Sequence, residues 1–224
     1  EIRDICNKSG EKYEGVKMGN KIIFELKLNE TDSIIAYEKR NYNTFYEDSR
    51  LYICVGGQKI KFVEGSFCDG FGLEMYYRVF NIKELDETSN LGEEVEEYHN
   101  GLIFNDEYNP EDPDSKAFFV STDFDPDNYI FAYGKSKGKF LQLYLFKNKN
   151  GYKVVFLEMI DAGPPNYKVK VLNEFFIDED VFAEWKRLIC TEWEKRKKIE
   201  AARSGHTKSD EKWQKFFEYM RSDS

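Results

Sequence analysis

The sequence predicts an α+β fold: a mostly antiparallel β-sheet with hairpins, followed by two C-terminal amphipathic helices. Three observations predict it. Apolar runs of strand length, parted by turn-forming residues, fill most of residues 1–177. Gly56-Gly57 and Asn150-Gly151 stand between such runs, where a tight hairpin needs residues that tolerate positive φ. From Asp178 onward the period changes, and Val181, Trp185, Leu188, Ile189 and Trp193 recur at helical spacing.

Residues 21–28 (KIIFELKL) and 33–39 (SIIAYEK) are the first two strand candidates, with Asn29, Thr31 and Asp32 suited to the turn between them. Residues 51–55 and 58–64 flank the glycine pair. Ile60 and Phe62 alternate there with Lys59 and Lys61, the pattern of a sheet with one wet face. Residues 71–82 (FGLEMYYRVFNI) follow a Cys68-Asp69-Gly70 turn and read as a further strand. Leu91, Val95 and Tyr98 then allow a short helix, and residues 105–115, with Pro110 and Pro113, read as loop.

Strands resume at 116–121, 129–133, 139–147, 152–160 and 168–177, with Ala162 to Pro165 breaking the chain before the last. Asp178 or Asp180 suits the cap of the first C-terminal helix, which should run through a charged stretch to stop at Ser204-Gly205. A second helix over about residues 209–221 would place Trp213, Phe216, Phe217 and Met220 on one face. The expected organisation is a β-rich body, 1–177, carrying an acidic insertion at 84–127. A helical segment, 178–224, should pack on that body.

Charge is segregated along the chain. Residues 84–127 hold 15 Asp and Glu against one Lys, a net −14, while the whole chain is −9. The remainder is therefore +5, so one tract sets the electrostatic character. A cluster of this kind serves solubility, a cation or a basic partner. No apolar run reaches the roughly 18–20 residues of a membrane helix. Cys6, Cys54, Cys68 and Cys190 are scattered without a CxxC pair, which argues against a zinc knuckle and suits reduced thiols in a cytoplasmic protein.

Catalytic patterns are weak. The histidines are His99 and His206, so a Cys–His pair would have to bring Cys54 or Cys68 to His99 across the fold. Glu25-Leu26-Lys27 has the Glu-x-Lys form found in metal nucleases but lacks a well-placed upstream Asp. Glu74 and Glu158 are strand carboxylates suited equally to burial or to a wet face. No phosphate-cradling loop, dinucleotide fingerprint or Gly-x-Ser-x-Gly elbow occurs. A basic hairpin region with Lys135, Lys137, Lys139, Lys147, Lys149 and Lys153 reads better as guarding strands than as a nucleic-acid track.

Two functional expectations remain. The first is a non-enzymatic protein-binding module, of inhibitor or immunity type, acting on a basic protein such as a nuclease-like toxin. Its acidic face would consist of Glu93, Glu94, Glu96 and Glu97 on the short helix and Asp106, Glu107, Asp112 and Asp114 in the loop. Tyr98, Phe104 and Tyr108 would act as aromatic anchors, and no cofactor is expected. The alternative is a divalent-metal-binding or metal-dependent hydrolase domain built on Asp123, Asp125 and Asp127, with Glu158 or Asp161 as a further candidate. Their alternation matches the opening ligands of a calcium loop. Asn128 and Gly134, however, stand where that loop needs its Gly and its bidentate Glu.

Overall fold

A computed structural model describes residues 21–39, 48–86, 90–104, 109, 111–112, 118–120, 122–136, 139–160 and 166–204. Strands β1 (Lys21–Lys27), β2 (Ser33–Glu38), β3 (Ser49–Val55) and β4 (Gln58–Gly65) form one antiparallel sheet in chain order. Strands β5 (Leu102–Phe104) and β6 (Phe118–Val120) pair with each other. A second four-stranded antiparallel sheet has the order β10-β9-β8-β7, from β7 (Ile130–Ser136), β8 (Lys139–Asn148), β9 (Gly151–Ile160) and β10 (Lys168–Ile177). The expected single sheet is thus two sheets face to face.

Turn chemistry explains the hairpins. Gly56 and Gly57 sit at φ +57° and +75°, the geometry of a type I′ turn, and Val55 pairs with Gln58 across it. In the β8–β9 hairpin Asn148 pairs with Gly151, so Lys149 and Asn150 are the central residues. Gly151, at φ +129°, opens β9 rather than occupying the turn. A Cβ there would also lie 2.8 Å from the Ile177 carbonyl oxygen.

The inner faces of the two sheets share one core. Phe24, Leu26, Ile34, Leu51, Ile53 and Phe62 from the first meet Leu141, Leu143, Leu145, Val154 and Phe156 from the second. The Phe62 and Phe156 rings lie 5.9 Å apart. Burying each such side chain stabilises the fold by roughly 1.5–3 kcal/mol. β4 runs directly against β7, where Gly134 permits the approach: a Cβ would stand 2.0 Å from the Phe62 carbonyl oxygen.

Three helices complete the described architecture: α1 (Phe71–Phe80), α2 (Leu91–Asn100) and α3 (Glu179–Ser204). The segment expected as a strand at 71–82 is α1. Phe71, Met75, Tyr76 and Val79 are buried, a helical period hidden in a segment whose other positions also include Leu73, Tyr77 and Phe80. The helices are consequently spread along the chain and not gathered at its end.

α3 closes the core as its apolar stripe requires. Asp178 caps it by accepting the Val181 N–H at 2.8 Å. Trp185, Ile189 and Trp193 are buried. The Trp185 indole N–H donates to the Lys27 carbonyl at 2.9 Å and that of Trp193 to the Cys68 carbonyl at 3.1 Å, tying the helix to the end of β1 and to the loop before α1. The second C-terminal helix, about 209–221, lies outside the described residues.

The other face of the second sheet carries α2. Leu91 and Val95 pack on Tyr144, Phe146, Val155 and Leu157 as a second, smaller cluster. Among the described elements the order is first sheet, core, second sheet, α2. Among the described residues no helix is long and apolar enough to cross a membrane.

Candidate functional site

α2 presents its carboxylates from a fixed platform. With Leu91 and Val95 turned to the sheet, Glu93 and Glu97 are exposed while Glu94 and Glu96 are half-buried. Glu96 is already engaged. Its carboxylate accepts the Lys168 ammonium at 2.8 Å and the Val169 backbone N–H at 2.9 Å, and these two bonds hold it below the usual carboxylate range. One turn later, Asn100 accepts the Tyr167 N–H at 2.8 Å and donates to the Tyr167 carbonyl at 3.1 Å. α2 therefore serves the outer edge of β10 as a neighbouring strand would. Glu93, Glu94 and Glu97 make no ion pair among the described residues.

Between α2 and β10 lies a groove of about 440 Å³, with Val169 and Val171 as its apolar part and Glu93, Glu96 and Glu97 on the helix side. Asn90 and Asn100 stand at its ends along the helix. Gly92 makes the close approach possible, since a Cβ there would be 3.1 Å from a Val171 methyl. Aliphatic floor and carboxylate rim together suit a long cationic side chain.

The opposite flank of α2 meets the acidic turn. Burial raises the Tyr98 hydroxyl above its ordinary value, and Asp127 and Asp125 add to the shift. Tyr129 is raised by burial and then by Glu94 and Asp125. Glu94 and Tyr98, four residues apart on α2, thus share one electrostatic neighbourhood with the 125–127 turn. Phe124 and Tyr129 stack there at 5.4 Å. Beneath lies Arg78 of α1, 5% exposed. Its guanidinium donates to the carbonyls of Ile130, Asn81, Asn128 and Asp127, fastening α1 to this turn.

Asp123, Asp125 and Asp127 are all exposed. Asp125 spends its carboxylate locally: one oxygen accepts the Asp127 N–H at 3.0 Å and the other the Asn128 side-chain amide at 3.1 Å. Pro126–Asn128 forms a 3-10 turn capped by Asp125. Among the described residues no three His, Cys, Asp or Glu side chains group to hold an ion. Asp161 lies outside the described residues. Glu158 pairs with Lys139 at 2.8 Å, and Glu25 with Lys27 at 2.7 Å.

The remaining candidates are scattered. Phe104 pairs with Phe118 through β5 and β6, and Asp112 is exposed. Asp106, Glu107, Tyr108 and Asp114 lie outside the described residues. The His99 ring stands 5.3 Å from the rings of both Tyr98 and Tyr167 on the α2 side of the second sheet, away from the core where Cys68 is buried. Cys54 is buried in β3 of the first sheet, also remote from α2. Glu74 lies on α1, half-buried, and burial raises its carboxyl while Tyr133 hydrogen-bonds it. Lys153 pairs with Glu174 at 2.9 Å and Lys147 with Glu179 at 3.8 Å, so part of the basic hairpin is used within the fold.

Sequence reasoning missed the neutral members of the groove, Asn90, Gly92, Asn100, Val169 and Val171, because only topology brings β10 beside α2. The sole local signal was Glu96 and Asn100 at helical spacing. Comparison of this chain with protein-family models, with curated proteins and with solved structures found no match.

Proposed function

We propose that this chain is a non-enzymatic protein-binding module of inhibitor or immunity type, acting in the cytoplasm, and that α2 is the face it presents to a cationic protein such as a nuclease-like toxin. One observation carries the reading: Glu93, Glu94 and Glu97 stand on a helix rigidly seated on the second sheet, without ion-pair partners among the described residues. Placing like charges side by side opposes folding by mutual repulsion, and a cationic surface relieves it. Such a face steers a basic partner into contact, and the groove beside it admits a lysine or arginine side chain.

The test separates recognition from solubility. Immobilised chain should retain a basic protein from a cell extract at low salt and release it as the Debye length falls to roughly 3 Å near 1 M salt. The variant Glu93→Gln/Glu94→Gln/Glu97→Gln should melt like the parent and associate with that protein about tenfold more slowly. Glu96 is left intact because it holds β10. An unchanged association rate and salt dependence would reduce α2 to a solubilising surface.

A further inference from the structure

We propose that the outer face of the first sheet docks on α2 of a second copy of this chain, in a head-to-tail contact. The strand register places Glu25, Lys27, Ile35, Tyr37, Arg50, Tyr52, Lys59 and Lys61 on the side of the sheet away from the core. Lys39, just past β2, joins them by donating to Glu64 at 2.5 Å. Among the described residues five cations on this face, Lys27, Lys39, Arg50, Lys59 and Lys61, stand against two carboxylates, Glu25 and Glu64.

Glu64 alone serves three of those cations, with Arg50 at 3.0 Å and Lys61 at 3.4 Å besides Lys39. The face consequently keeps positive charge to offer. At its centre Tyr37 and Tyr52 meet edge to face at 5.5 Å, both half-buried, with the Lys59 ammonium 4.1 and 4.6 Å from their ring centres. Half-buried aromatics within a cationic rim are what a docked acidic helix would desolvate.

The complementary surface is on the same molecule. α2 carries four glutamates and no Lys or Arg, and it lies on the far side of the second sheet from this face. Among the described residues the two charged layers are therefore the opposite outermost layers, and a contact between them joins one copy's front to the next copy's back. Net charge of −9 on each copy does not forbid it. Centres of bodies this size sit on the order of 35 Å apart in contact, several Debye lengths at physiological salt, whereas apposed faces are hardly screened. A heterologous contact of this kind leaves a free face at each end and so propagates. The inference concerns self-association and holds whether or not a foreign protein also uses α2.

The test uses the full chain in sedimentation analysis. Weight-average mass should rise with concentration at low salt and return to that of the monomer near 1 M salt, where the Debye length is roughly 3 Å. Two charge-reversed variants, Glu93→Lys/Glu97→Lys and Lys27→Glu/Lys61→Glu, alter exposed positions only. Each alone should stay monomeric. Mixed in equal amounts they should associate again, because the basic face of the first meets the acidic helix of the second and the two reversed faces are complementary as well. A wild-type chain monomeric at every concentration and salt overturns the proposal, as does association that survives in either variant alone or a mixture that stays monomeric. A monomeric chain that still captures a basic protein overturns this inference and leaves the proposed function standing.

Discussion

The Glu96 carboxylate accepts the Val169 backbone N–H at 2.9 Å, although 73 residues separate them. An edge strand displays a row of unpaired N–H and C=O groups that can recruit other strands. Among the described strands β10 pairs with β9 alone, and the first part of its other edge is satisfied by Glu96 and Asn100. One glutamate of the acidic helix is thus structural, while Glu93 and Glu97 remain exposed.

Glu96→Ala combined with Asn100→Ala should therefore expose that edge. Each lost set of hydrogen bonds should cost about 1–2 kcal/mol, because backbone groups at a partly covered edge lose a fixed partner. The double variant should melt lower and aggregate faster at high concentration. Light scattering during a thermal ramp reads both effects. A double variant that melts and scatters like the parent would show that water replaces α2 at this edge without penalty.

Arg78 supplies a second test of how α2's surroundings are held. Burial lowers its guanidinium pKa, and its N–H groups serve four backbone carbonyls. Arg78→Met fills similar volume but leaves those carbonyls unpaired, so stability should fall by about 2–4 kcal/mol. Arg78→Lys should recover little, since one ammonium cannot span the positions that a planar fork reaches. Chemical denaturation of the two variants reads the difference. Full recovery by Lys would mean that charge, and not the fork, holds the turn.

Much of this architecture was legible where local chemistry and tertiary need agree. Gly56-Gly57 marks its own turn, and β10 and α3 begin where their patterns begin. α1 was not legible. FGLEMYYRVF is apolar enough on every side that period two and period 3.6 fit alike, and only burial of Phe71, Met75, Tyr76 and Val79 decides. The site was half legible. The glutamates of α2 announce themselves, but their division into one structural group and three without an ion pair among the described residues depends on β10, brought alongside by the β9–β10 pairing. Arg78 gave no signal, since three of its four partners are backbone carbonyls about 50 residues away.

Acid should weaken the first sheet through Glu64. Partial burial alone would raise its carboxyl, but hydrogen bonds from Lys39 and then Arg50 outweigh burial and bring it to about 2, from an ordinary 4.5. A folded-state value below the unfolded one stabilises the protein above about pH 4.5, and that stabilisation is lost as pH falls toward 2. Solvent screening at this partly exposed site leaves a contribution of roughly 1–2 kcal/mol. Glu64→Gln should lower stability at neutral pH and flatten its acid dependence across that window. Parallel acid curves for parent and variant would assign the acid sensitivity to other carboxylates.

Removing α3 should unfold the body and not merely shorten the chain. Trp185 and Trp193 are buried at 1% and 0% exposure, and Tyr76 of α1 lies 4.6 Å from the Trp193 ring. Two large side chains at roughly 1.5–3 kcal/mol each already approach the 5–15 kcal/mol by which a typical domain is stable. Truncation after Ile177 also bares the Lys27 and Cys68 carbonyls that the indoles now satisfy. A gentler probe is Trp193→Phe, which keeps much of the ring but loses the bond to Cys68 and should cost about 1–3 kcal/mol. Denaturant melts of both variants provide the measurement. A truncated chain with the parent's midpoint would mean that the two sheets and α1 hold themselves together, and α3 would then be an appendage on a finished core.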